Sequence, residues 1–376
     1  MIDFRYHIVS LISVFLALAV GIVLGAGPLR ETIGDTLTGQ VESLREEMEV
    51  LRSDLAAAQS VVDRQSVFLD ESAPQLVGGT LTDRRVAVVT LGTVDDDARA
   101  AVEEQLLTAG ATISARVQVT DQWTDPALRE FRGALAGSVV TYLDPAPAAD
   151  AGAEVELAQA LAQGLTGADP ADPNALSEPA ELILQLLASD ESDLITVAEP
   201  ITAPADAVVL LAGEPEPLSD DATEAGEQSE AQDAVVAAHL AVVSAAQERS
   251  EGALLAGGVA TPGDLVTTVL ADADLAADIA TVTGFRGVTG QLSVPLGLNA
   301  RIGGQVGHYG FGDGLTPVPE PVTLPEVDRT PAGADDATTD DGTGTEGTGT
   351  DGTGTDDATA TDTTGTDDAT DATTEG

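Results

Sequence analysis

Few side chains in this sequence could perform metal or catalytic chemistry. Cysteine is absent, and the three histidines, His7, His239 and His308, are widely separated along the chain. No Gly-x-Ser-x-Gly elbow and no His-Glu-x-x-His pair is present, so neither an activated serine nor a zinc site is predicted. His239 lies among aliphatic residues, where we expect a core or interface role. We predict no catalytic residues and no enzyme activity.

The candidate metal ligands lie in a glycine-rich segment, residues 303–314. His308 and Asp313 are close enough along this segment to meet in a loop, and an imidazole with a carboxylate would hold a cation weakly and exchangeably. The alternative is a loop whose glycines satisfy turn geometry while Tyr309 and Phe311 pack on a sheet edge.

Charge argues against nucleotides and nucleic acids as partners. The chain has 64 acidic and 15 basic residues, a net charge of −49, and no basic residue lies between positions 133 and 248. Residues 91–97, where a phosphate-binding turn would lie, read LGTVDDD. One glycine and three carboxylates, Asp95, Asp96 and Asp97, at a helix N-terminus would cap that helix and repel an anion.

The elements that must position these residues alternate between strand and helix. Short aliphatic runs predict strands, and longer periodic segments predict helices. The first helix follows the aspartates, with Ala98, Val102, Leu106 and Leu107 as its apolar face. The predicted strands cover residues 84–91, 113–119, 207–212, 253–259 and 279–282, and the later helices cover 231–248 and 263–271. This alternation predicts an α/β fold with a mostly parallel sheet covered on both faces.

An apolar segment precedes this domain. Residues 8–27 carry no charge and are long enough to form a transmembrane helix. The alternative is a cleaved secretory signal, which Pro28 disfavours because it follows the small residues 25–27 and would obstruct cleavage there. With only residues 1–7 before the span, we place the N-terminus in the cytoplasm and the acidic bulk outside. Ala17, Gly21 and Gly25 recur every four residues, a small-residue pattern that favours helix pairing.

A heptad pattern follows, within the predicted coiled coil of residues 28–72. Its apolar residues are alternately four and three apart, as in a parallel two-stranded seam. The alternative is a single amphipathic helix that folds back on its own domain, for which a wider apolar stripe is expected. The seam consists of Leu37, Val41, Leu44, Met48, Leu51, Leu55, Ala58, Val62 and Leu69. Together with the small-residue face, it predicts a homodimer.

These segments give the predicted domain organisation. The α/β domain covers residues 80–316, with surface loops expected at 144–151, 167–174 and 214–230. Residues 317–376 are Pro-rich and then Gly/Thr/Asp-rich. The repeats from about Ala332 onward contain too little apolar material to fold, so a disordered acidic tail is expected.

The opening sequence IDFRYHIVSL, residues 2–11, resembles that of the MctB-type copper transport proteins of actinobacteria. The order of segments in that family is similar, and residues 307–310, GHYG, resemble its Gly-x-Tyr-Gly-like end. The resemblance covers residues 1–314 and implies copper efflux or copper homeostasis in the cell envelope, with an outer-envelope location possible.

Copper would then be a transported ion rather than a tightly bound cofactor. Copper(I) prefers Cys and Met ligands, whereas this chain has only Met1 and Met48 and no Cys. The expected partners are a second copy, the membrane and other envelope proteins. The alternative function is a non-catalytic envelope scaffold that organises partner proteins through its coiled coil and outer domain.

Overall fold

A computed structural model describes residues 4–26, 28–215, 222–259, 261 and 263–331. The predicted acidic tail from Ala332 onward, Met1 and the side chain of Leu37 lie outside this description. Within the described ranges the helices are α1 (Phe4–Ala26), α2 (Pro28–Val77), α3 (Asp96–Thr108), α4 (Arg129–Val139), α5 (Ala153–Thr166), α6 (Glu178–Leu187), α7 (Ala222–Arg249), α8 (Leu265–Ala271), α9 (Ala273–Asp278) and α10 (Val288–Ile302). The strands are β1 (Arg85–Leu91), β2 (Thr112–Val119), β3 (Ala168–Asp169), β4 (Asp172–Leu176), β5 (Ile195–Val197), β6 (Ala207–Ala212), β7 (Gly252–Gly257), β8 (Ala280–Thr283) and β9 (His308–Tyr309).

Two long helices begin the described chain. The apolar α1 has 22 residues, Phe4–Gly25, that are long and apolar enough to cross a membrane, and none of them is buried within the chain. The 50 residues of α2 extend over about 75 Å at 1.5 Å per residue. Near its C-terminus, Ala73 and Val77 are buried against α3 and α10, so this end of α2 belongs to the core of the following domain.

Seven strands form the main sheet in the order β5-β2-β1-β6-β7-β8-β9. Every pair is parallel except β2 with the edge strand β5. Alternate residues of the central strands enter two different cores, so Val86 and Val88 face one side while Ala87 and Val89 face the other. Burial on both faces explains the unbroken aliphatic sequences of these strands. The α/β prediction is confirmed.

Several local predictions need correction. Helix α7 begins at Ala222, not at residue 231, so the acidic stretch predicted as loop is helical from that point. The predicted loop at residues 167–174 contains most of the β3-β4 hairpin. Leu107 is 53% exposed and lies outside the apolar face of α3. Tyr309 is buried, as the loop alternative expected, but Phe311 is 71% exposed.

The residues after β9 pack along the domain. We call residues 318–331 the C-terminal strap. The buried side chain of Asn299 on α10 holds this strap through both backbone groups of Val322, at 2.6 and 2.9 Å. Further along, the Arg329 guanidinium pairs with the Asp206 carboxylate at 2.6 Å, beside the start of β6. Part of the predicted Pro-rich tail is therefore bonded to the sheet domain.

Candidate functional site

The chain reverses its winding direction between β1 and β6. From β1 it proceeds outward to β2, whereas from β6 it proceeds the opposite way to β7 and β8. In open α/β sheets, ligands bind at this reversal, beyond the carboxyl ends of the strands. The structure has a cavity of about 360 Å³ there, lined by the ends of β1, β2 and β6 and by α7. We call this cavity the switch-point pocket.

Glycines allow the loops of the switch-point pocket to approach one another. Gly92, directly after β1, has a φ of +73°, a conformation that glycine adopts without strain. Gly213, directly after β6, lies against the backbone of Thr93: a Cβ atom at this position would be 2.5 Å from the Thr93 carbonyl oxygen. The main chain therefore requires glycine at position 213.

Apolar side chains form much of the pocket wall, including Val119 and Leu265 and, on α7, Val235 and Val236. Nine of the twenty described lining residues have polar side chains, and among them is His239 of α7, for which sequence analysis expected a core or interface role. Aliphatic surface combined with polar groups that can orient a ligand is typical of small-molecule sites.

His239 carries no charge at neutral pH. Burial lowers the pKa of this imidazole to about 4, and the carboxylate of Asp121 opposes part of the shift. Within the described part of the chain, neither ring nitrogen of His239 forms a hydrogen bond, and the ring is only part-buried because it faces the pocket. The neutral ring therefore offers one donor and one acceptor.

Negative charge dominates the lining of the switch-point pocket. Asp121, Glu214 and Asp264 are carboxylates, and none of the described lining residues is an arginine. Asp264 is occupied as the N-cap of α8, and Glu214 pairs with Arg286 at 3.3 Å. Asp121 has no ion pair within the described residues, and it supplies an uncompensated negative charge.

The first strand-to-helix turn has the capping role that its aspartates predict. The Asp95 carboxylate accepts a hydrogen bond from the Ala98 backbone amide at 3.0 Å, and Asp96 pairs with Arg99 at 2.9 Å. The carboxylates at this helix terminus place negative charge where a phosphate would have to bind, so they would repel it. That the protein binds no nucleotide stays a prediction.

The predicted metal candidates lie elsewhere, at the far edge of the sheet. In β9, His308 Nδ1 lies 3.0 Å from the Thr281 hydroxyl, and Nε2 lies 3.1 Å from the Ala276 carbonyl oxygen. Asp313 is exposed in the following loop and forms no ion pair or hydrogen bond with His308 in the described structure. Over the same residues, no cluster of three or more His, Cys, Asp or Glu side chains could hold a metal ion.

The predicted dimer residues of α1 are not covered by the rest of the described chain. Ala17, Gly21 and Gly25 are all exposed on α1. A Cβ atom added at Gly21 or Gly25 would meet nothing within 4 Å. Packing within this chain therefore does not account for glycine at these two positions.

The heptad positions of α2 are likewise uncovered. The five candidate residues are between 43% and 66% exposed: Val41, Leu44, Met48, Leu51 and Leu55. Leu69, at the end of the same seam, instead packs against the domain core. The apolar stripe is thus continuous with the domain at one end and open to solvent along most of its length.

Sequence reasoning missed the switch-point pocket, although a usable signal was present. Gly92, Asp121 and Glu214 lie within two residues of predicted strand ends that become adjacent in the sheet. The strand order decides which of these ends meet, and the sequence does not give that order. His239 could not be assigned to the pocket for the same reason.

Comparison with known proteins bears on the whole chain. A family model described as "Copper transport outer membrane protein, MctB" matches residues 1–319. The "Copper transporter MctB" of Mycobacterium tuberculosis (strain ATCC 25618 / H37Rv) is 32% identical over 332 residues, which cover 85% of this chain and 99% of that protein. The protein of the same name from Mycobacterium leprae is 31% identical over 341 residues, which cover 85% of this chain and all of that protein.

Proposed function

Because the chain belongs to the MctB family of copper transport proteins, we propose that it takes part in copper efflux or copper homeostasis as a membrane-anchored dimer of the cell envelope. The observation that carries this proposal is the extent of the similarity, which spans the apolar N-terminus, the long helix and the α/β domain together. Relatives named as copper transporters share all of these parts, so the function is assigned to the full arrangement.

The described structure supports copper as a passing ion rather than a resident cofactor. It contains no cluster of three metal-binding side chains, and both nitrogens of His308 already have hydrogen-bond partners. A tight copper(I) site would require several soft ligands at one point. We therefore propose weak contact with copper through carboxylates, and no catalytic activity.

Anchoring and orientation are also part of the proposal. We place α1 across the cytoplasmic membrane, with residues 1–7 inside and the acidic domain outside. An outer-membrane location, which the family description names, is the competing placement. A negatively charged domain outside the membrane would attract cations and would disfavour nucleic acid as a partner.

Two uncovered surfaces support the proposed dimer. The glycine face of α1 and the heptad stripe of α2 both suit a symmetric pair of parallel helices. Because α2 ends within the core of the sheet domain, a coiled coil of two α2 helices would also fix the distance between the two domains.

A non-catalytic scaffold is the second candidate function. The uncovered apolar stripe of α2 favours it, because such a stripe could equally bind a helix of another envelope protein. This alternative requires neither copper binding nor copper movement.

Deletion of the gene tests copper function against a scaffold. We expect the deletion strain to be hypersensitive to copper and to accumulate it, and the wild-type gene to restore both properties. Normal copper content combined with altered cell shape or division would reject the copper function and support the scaffold.

Complementation with seam variants then tests the dimer. Replacing both Leu44 and Leu51 by Asp places charges in the predicted seam and should abolish dimerisation and copper resistance together. The matched control variant carries Asp in place of Val50 and Val67. These two residues are 59% and 61% exposed but do not belong to the seam. Crosslinking in membranes should detect dimers of the control variant alone. Equal crosslinking of both variants would reject the seam.

A further inference from the structure

We propose that the switch-point pocket is a binding site for a small organic amine, a protonated nitrogen carried on a compact apolar body. This inference is independent of the proposed copper function, because it requires no copper and because the predicted metal candidates, His308 and Asp313, do not line the cavity. It rests on the shape of the cavity, on the sign of its charge and on the imidazole of His239, which forms no hydrogen bond with the described residues.

Shape and wall chemistry set the size of the ligand. A cavity of about 360 Å³ falls at the lower end of the range for small-molecule sites. Val119, Val235, Val236 and Leu265 supply aliphatic surface on several sides. A ligand with one compact hydrocarbon group would bury that surface, whereas a fully polar molecule would lose its hydration without compensation.

The sign of the local charge selects a cation. Asp121 contributes a carboxylate without an ion pair in the described structure, and Glu214 contributes a second that is shared with Arg286. The helix N-terminus that lines the pocket is that of α8, and it is already capped by the Asp264 carboxylate. No described lining residue is basic, so a carboxylate or phosphate would meet only repulsion.

His239 provides the specific contact. Its neutral ring is part-buried, lines the cavity and forms no hydrogen bond with the described residues, so its nitrogens are available to a ligand. One ring nitrogen is an acceptor, and an ammonium group is a donor only. An amine that donates to His239 while lying near Asp121 would satisfy both groups.

Three probes with the same phenyl-ethyl skeleton test the charge preference: phenethylamine, phenethyl alcohol and phenylacetate. Each is titrated by calorimetry into the detergent-solubilised full chain. We expect the amine to bind about ten-fold more tightly than the alcohol, a difference of about 1.4 kcal/mol, and the carboxylate to bind more weakly than the alcohol.

Matched variants locate the binding. Ala231→Trp should fill the pocket and abolish amine binding, whereas Ala237→Trp, an exposed position on α7 that does not line the pocket, should leave it unchanged. Asp121→Asn should remove the advantage of the amine over the alcohol while leaving the affinity for the alcohol unchanged. This selective loss distinguishes a ligand contact from a structural role.

Several outcomes would overturn the proposal. These are no amine binding up to millimolar concentration, equal or tighter binding of phenylacetate, or amine binding that survives Ala231→Trp in a folded variant. None of these results would affect the copper function, which the deletion strain tests separately.

Discussion

The buried imidazole of His239 should make the stability of the sheet domain depend on pH in a predictable direction. Its pKa is about 4 in the folded chain and near 6.5 when unfolded. Between these values the unfolded chain binds more protons than the folded chain. The stabilisation is therefore fully present above about pH 6.5 and is lost progressively as the pH falls towards 4.

The magnitude follows from the difference between the two pKa values. A shift of 2.5 units, from 6.5 to about 4, corresponds to at most about 3 kcal/mol, of which about 2 kcal/mol should already be lost at pH 5. Contact with solvent at the pocket mouth reduces this figure, so we expect a loss of between about 1 and 2 kcal/mol at pH 5 relative to pH 8. Most carboxylates remain ionised at pH 5.

Urea unfolding of the detergent-solubilised chain measures this effect. The chain has one tryptophan, Trp123, which is 1% exposed and belongs to the same core as the pocket wall, so its fluorescence reports unfolding of this region. The variant His239→Gln keeps a donor and an acceptor but cannot titrate. Between pH 8 and pH 5, the free energy of unfolding of this variant should fall by about 1 to 2 kcal/mol less than that of the wild type.

The comparison between variants removes the background from the other acidic groups. A net charge of −49 makes the protein respond to pH in many ways, but wild type and His239→Gln share that response. The control His308→Gln should lose stability as the wild type does, because its His239 is intact. If the wild type and His239→Gln lose the same free energy within about 0.5 kcal/mol, the burial argument is wrong.

Three further predictions concern other parts of the chain. Asn299→Ala should lower the free energy of urea unfolding by about 2 to 3 kcal/mol, because the buried side-chain amide forms hydrogen bonds with the backbone of Thr80 and Val322. The control Asn174→Ala, at an exposed site, should lower it by less than about 0.5 kcal/mol. Purified protein should bind copper no more tightly than roughly micromolar in competition with a copper(I) chelator, and His308→Ala should change this little; a stoichiometric sub-nanomolar site would contradict both expectations. Intact mass of the membrane-extracted protein should show the uncleaved N-terminus, and a soluble chain beginning near Pro28 would contradict the anchor.

The strands could be predicted from sequence because burial on both faces leaves a strong local pattern. For β6 the predicted and observed bounds agree at both ends. The sequence predicts helix α3 from the aspartates at its start, and in the structure the Asp95 carboxylate accepts a hydrogen bond from the Ala98 amide. In both cases residues that are adjacent in sequence contain the whole signal.

Helix α10 could not be predicted, because the contacts that stabilise it lie outside its own sequence. Gly290, Pro295 and Gly297 are poor helix formers, yet all three lie within this helix. A Cβ atom at Gly290 would lie 2.2 Å from the Gly284 carbonyl oxygen, and one at Gly297 would lie 3.3 Å from the Leu254 side chain of β7. The glycines allow close packing, and burial of the helix compensates for their low propensity.

The pocket depends on contacts of the same non-local kind, and this explains why the sequence does not place His239 in a cavity wall. On a helix, a histidine among valines has the sequence pattern of a core residue, and the wall of an apolar cavity has that pattern too. The two cases differ only in what lies opposite the ring. Here the opposite surface is formed by the ends of β1 and β2, and it includes Asp121. Strand order therefore converts an ordinary apolar helix face into one wall of a cavity, which single-sequence reasoning cannot detect.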